Sequence, residues 1–163
     1  MYTRLCAALS KLSLQIAAIG LMLILICMLY MVIGRYVFND MPAWAERLAL
    51  LLTLYVTLLS TAVSVRDAGH IGLDSFLVLA PDWLRLKLEY VIHFLLIIFG
   101  LLMLYFGTTL AIEYWGETIP TLEWAPDGLR RIPLALCGGL IVMFSIEHII
   151  ALIKGTEVEP SWH

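Results

Sequence analysis

Charge is what this sequence has least of. Of its 163 residues only 14% are Asp, Glu, Lys or Arg, where an average soluble domain has roughly a quarter. The formal charge of −3 is small, and no basic tract is present to hold nucleic acid. Cysteine is scarce too. Cys6, Cys27 and Cys137 form no motif, and Cys27 and Cys137 fall in apolar runs, so an odd count there argues against a disulfide framework and for packing thiols. The chain has no internal repeat and no low-complexity segment. A final absence concerns position: no apolar run carries an ionisable side chain at its middle.

What the chain has instead is long apolar runs, with 62% hydrophobic residues overall. Lys11 and Arg35 bracket 23 residues without a charge, Arg47 and Arg66 bracket 18, and Glu89 and Glu113 bracket 23. Arg131 and Lys154 bracket 22 more, interrupted only by Glu147 and His148. A helix crossing the hydrocarbon core needs about 20 mostly apolar residues. The fold class expected is therefore an all-α membrane protein, a single membrane domain with four transmembrane helices. The spans fall at about 12–33, 45–65, 88–112 and 132–153. The first is too long for a signal-peptide core and ends without a small-x-small cleavage site, so it reads as a retained span.

The connections are less uniform. GRYVFNDMPAW (34–44) holds turn formers Asn39 and Asp40, and Pro42 cannot lie in a helix interior. Glu46 suits the positive end of the second helix. Residues 71–80 are apolar but too short to span, and they predict a short amphipathic helix in the interface. After Pro81, Asp82 is a candidate N-cap for a third helix from about 83, long enough to protrude beyond the hydrocarbon. The loop 113–133, with three prolines and two glycines, predicts irregular structure. With four spans, Arg4, Lys11, Arg66, Arg85, Lys87 and Lys154 share one side against Arg35, Arg47, Arg130 and Arg131. This bias favours both termini in the cytoplasm.

The absent mid-span charges bear on function. Ionisable side chains near the midplane mark solute and ion routes, and secondary transporters build sites from paired repeats with broken helices. Neither is present, so this chain is not expected to carry a solute alone. Small four-helix multidrug exporters use a glutamate embedded in the first helix, where this chain has only Gln15 near the start. His93 and His148 lie at similar depth in an up-down bundle, which makes bis-histidine haem ligation in a redox subunit the alternative reading. Polar residues one turn from a helix end, with His148 beside Glu147, are as well explained by access to water or pairing. Asp67, His70 and Asp74 could supply metal ligands, but Gly69 and Gly72 break the regular spacing such a site needs. No metal, cofactor or catalytic set is expected, and the chain does not read as an enzyme. Gly100, Gly107 and Ala111 in the third helix, with Gly138 and Gly139 in the fourth, permit close helix approach.

Four segments in order carry a resemblance: GRYVFN (34–39), Trp44-Ala45-Glu46-Arg47, VRDAGHIGLD (65–74) and PTLEWAPDGLRRIPL (120–134). Together they resemble the small membrane subunit, the Q or DctQ type, of tripartite ATP-independent periplasmic (TRAP) transporters. The resemblance implies a non-catalytic scaffold in the bacterial inner membrane, serving sodium-coupled symport of an organic acid-type solute. The implied partners are a large M or DctM-type elevator subunit, a periplasmic substrate-binding protein and membrane phospholipids. It further implies that Arg35, Asn39, Trp44 and Glu46 order the periplasmic end, with Arg47 toward headgroups or the partner. Arg66, His70 and Asp74 become an anchoring hinge on the other side, and Glu117, Glu123 and Asp127 contact candidates for the periplasmic carrier.

Overall fold

The computed structural model describes residues 2–39, 43–67, 82–119 and 122–154. Four helices dominate: α1 (Tyr2–Ile33), α2 (Ala43–Asp67), α3 (Asp82–Glu113) and α4 (Ile132–Lys154). Each contains a segment long and apolar enough to cross a membrane. The all-α membrane fold is thus the one the apolar runs predict. The interfacial helix expected at 71–80 lies outside the described residues.

The helices overrun the apolar stretches that mark them. α1 begins at Tyr2 because neither Pro nor Gly interrupts residues 2–11, and Ser10 and Ser13 are buried rather than wetted. At its far end α1 loosens into a π-helical turn, Gly34–Phe38. Asn39 stops that turn in the left-handed conformation, φ 52°, with its N–H bonded to the Gly34 carbonyl. Asparagine tolerates this region better than most L residues.

Packing follows chain order. α1 lies against α2 and α3 against α4, and the two pairs join where α2 meets α4. The inner helices are the more buried: 39% of the most apolar window of α4 and 28% of that of α2, against 11% for α1 and α3. The outer helices therefore present most of their apolar surface outward, the inverse of a soluble bundle. Two glycines set the closeness of α3 and α4. A Cβ on Gly107 would lie 2.6 Å from the Ala135 backbone nitrogen, and one on Gly138 would lie 2.6 Å from the Gly100 carbonyl oxygen. Such contact gives dispersion attraction that lipid cannot match, which is how helices associate without a hydrophobic drive.

The loop between α3 and α4 departs from expectation. It contains a 3-10 turn (Tyr114–Gly116), a small antiparallel hairpin of β1 (Thr118–Ile119) and β2 (Leu122–Pro126), and a second 3-10 turn (Asp127–Arg130). The prolines punctuate this order: Pro126 ends β2, and Pro133 sits in the first turn of α4, where its missing N–H costs nothing. Ile119 and Ala125 are buried against Leu51 of α2, with Tyr55 and Leu129 packed around them. The loop is thus folded onto α2, and the Tyr55 hydroxyl donates to the Leu129 carbonyl at 2.9 Å. The end of the bundle carrying this loop is called the hairpin end below. The opposite end, where α1 starts and α4 finishes, is the terminal end.

Candidate functional site: a buried ion cluster

At the terminal end, the last turn of α2 brings a charge inside. Arg66 is 3% exposed and Glu147 of α4 is 1% exposed. Arg66 Nε donates to Glu147 Oε2 at 2.9 Å and Nη2 to Oε1 at 3.3 Å, a two-pronged pairing. Nη1 donates to Asp67 Oδ1 at 2.7 Å. The other oxygen of Asp67 accepts from the Ser10 hydroxyl of α1 at 3.1 Å. Three helices meet in one chain of charge-assisted hydrogen bonds.

Two histidines add the fourth helix. His148 Nε2 lies 3.0 Å from the Arg66 carbonyl oxygen, satisfying a backbone acceptor that the end of α2 leaves open. His93 of α3 meets the His148 ring edge to face, with centroids 4.8 Å apart. Phe144 closes the other side, its ring 5.9 Å from the Arg66 guanidinium carbon. Cys6, Ala62, Cys137, Ile141 and Phe144 form the apolar core of the bundle.

This chemistry favours fixing over reacting. The guanidinium stays protonated at any physiological pH. Both carboxylates are engaged by it, and Arg66 and Glu147 are sealed from solvent. Taking such charges out of water costs several kcal/mol per ion, which only good geometry repays. The two-pronged Arg66–Glu147 pair provides that geometry. No group of three or more candidate metal ligands occurs among the described residues. The histidine contact also disfavours haem: an edge-to-face pair at 4.8 Å leaves no slot for a porphyrin, and His148 is committed to a backbone carbonyl.

The remaining sequence candidates divide by position. His70 and Asp74 lie outside the described residues, so of the hinge triad only Arg66 is placed, pointing inward onto Glu147. At the hairpin end Arg35, Asn39, Trp44, Glu46 and Arg47 are all exposed. Trp44 meets Tyr30, with ring centroids 5.7 Å apart. Glu117 is exposed as well. Nothing is described for the side chain of Glu123. Asp127 is occupied: Arg130 reaches it at 3.3 Å and Arg131 at 3.0 Å. Arg131 in turn stacks on Tyr114, its guanidinium carbon 3.8 Å from the ring centroid.

Sequence reasoning did not pair Arg66 with Glu147 and did not single out Ser10 or Tyr55. One signal was available for the pair. A glutamate inside an apolar run demands a partner, and Arg66 ends the second run on the same side of the bundle.

Residues 24–155 match the pattern of the DctQ component of tripartite ATP-independent periplasmic transporters. The sialic acid TRAP transporter small permease protein SiaQ of Vibrio cholerae is 33% identical over 75 residues, 45% of this chain and 43% of that protein. The sialic acid TRAP transporter permease protein SiaT of Haemophilus influenzae is 32% identical over 76 residues, 47% of this chain and 12% of that protein. The chain thus spans less than half the length of each of these relatives in alignment.

Proposed function

The chain belongs to the DctQ family, a component of tripartite ATP-independent periplasmic transporters, and from that premise we propose that it is the immobile scaffold of a sodium-coupled importer of an organic acid-type solute. In this reading it holds and orients a large elevator-type membrane subunit, while a periplasmic binding protein delivers the solute. Both termini face the cytoplasm, so the terminal end is cytoplasmic and the hairpin end periplasmic.

One observation carries the reading. The buried charges of Arg66 and Glu147 are spent on each other and on neighbouring helices, at one end of the bundle. A carrier needs ionisable or polar groups that a solute can reach and leave near the midplane. A brace needs the reverse, side chains that lock helices and stay locked. The Haemophilus influenzae match supports the partnership, since the aligned stretch is a small part of a much longer permease polypeptide. The relatives' printed names support a sugar-acid solute as the first to test.

Contacts with the large subunit and the binding protein follow from exposure. Arg35, Asn39, Trp44, Glu46 and Arg47 form the candidate set for the large subunit and headgroups, and Glu117 for the carrier; Glu123 joins Glu117 on the family resemblance alone. Asp127 serves this surface indirectly, by fixing Arg130 and Arg131. The test is co-purification of the tagged chain with its large subunit. Trp44→Ala with Arg47→Glu should reduce recovery of the large subunit while lowering the thermal midpoint of the isolated chain only slightly, by the loss of the Trp44–Tyr30 ring contact. Full recovery at equal expression would remove these residues from the interface.

A further inference from the structure

Beside the α3–α4 contact at the hairpin end runs a furrow of about 630 Å³ that the ion cluster does not use. Leu104, Thr108 and Ile112 wall it from α3, Trp115 from the 3-10 turn that follows, and Ala135 and Leu136 from α4. We propose that this furrow is a phospholipid site, with one acyl chain lying along it and the lipid phosphate on the guanidinium groups of Arg130 and Arg131.

Two observations select that occupant over a partner helix. The first is lining chemistry. The Thr108 hydroxyl shares its proton between the carbonyls of Leu104 and Tyr105, at 2.8 and 2.9 Å, so it makes no demand on an occupant. The second is length and charge together. From Leu104 to Trp115 the wall rises ~17 Å, close to half of a hydrocarbon core of about 30 Å. It ends beside Arg131, which adjoins the lining residue Ile132. Arg130 and Arg131 share the single carboxylate of Asp127, and the Arg130 side chain is 44% exposed. A phosphate at that level completes the pairing.

The experiment is native mass spectrometry of the full chain, purified in detergent from membranes and washed to remove annular lipid. One phospholipid per chain is expected to persist. Thr108→Trp, which fills the furrow from an exposed wall, should lower the bound fraction about tenfold, and Arg130→Glu should lower it too. Leu25→Trp on the outward face of α1 should not. A wild-type chain that keeps no lipid, or a Thr108→Trp chain that keeps as much as wild type, overturns the proposal. So does a Thr108→Trp chain that keeps its lipid and loses the large subunit, since a helix would then be the occupant. Should Thr108→Trp fail to fold, wild-type chain in nanodiscs of phosphatidylethanolamine and phosphatidylglycerol supplies the answer. A photoreactive acyl chain should label the 104–115 peptide well above the peptide around Leu25, and equal labelling contradicts the site.

Discussion

Arg66 shows how one side chain can hold a membrane bundle together. It is the hub of a cluster that reaches α1 through Asp67 and Ser10, and α4 through Glu147. Removing one member of a buried pair leaves the other charged without compensation, typically at about 3–5 kcal/mol, a large fraction of the roughly 5–15 kcal/mol that holds a typical domain together. Glu147→Ala should therefore lower the thermal midpoint in detergent sharply, more than Ser10→Ala, which removes one hydrogen bond to a charged group worth about 1.5–3 kcal/mol. Replacing the set together, Arg66→Met with Asp67→Asn and Glu147→Leu, should recover most of the loss, because apolar groups of similar volume avoid the desolvation cost. A triple variant as unstable as Glu147→Ala would contradict this energetic account. At the hairpin end Tyr55→Phe deletes the single bond to the Leu129 carbonyl. It should cost about 1 kcal/mol, read as a small drop in the same midpoint.

Among the elements, the close pair α3 and α4 is the most specified by backbone. Gly107→Leu puts a side chain where the Ala135 backbone now lies, and it should separate the helices and destabilise by about 1–3 kcal/mol or more. Gly116→Ala meets nothing within 4 Å and should be nearly silent. Thermal unfolding of the two variants side by side checks the contrast. This pair also shows what could be read in the sequence. Charge-free runs of helix-spanning length made α1 to α4 legible, because the bilayer forbids other solutions. Gly100, Gly107 and Gly138 pointed to close approach, which the structure places between α3 and α4. The order within 113–133 was not legible. Its prolines and glycines signal irregularity in general, and the hairpin exists because Ile119 and Ala125 find Leu51 and Tyr55 more than sixty residues away in sequence. For the same reason Arg66 was recognised as a special residue while its partner was not. The pairing is a property of how α2 crosses α4, which no local pattern records.

Taken as a whole, a bundle with an apolar exterior and a buried Arg66–Glu147 pair suits bracing a neighbour. Family membership makes it a component of tripartite ATP-independent periplasmic transporters, and the scaffold role proposed above rests on the ion cluster. The most direct measurement is sodium-driven uptake of a radiolabelled sugar acid into proteoliposomes, with the purified binding protein outside. The account predicts no accumulation with this chain alone, accumulation when the large subunit is added, and reduced accumulation when the added small subunit carries Glu147→Ala. Solute accumulation by this chain alone, or full uptake by the large subunit without it, would contradict the scaffold role.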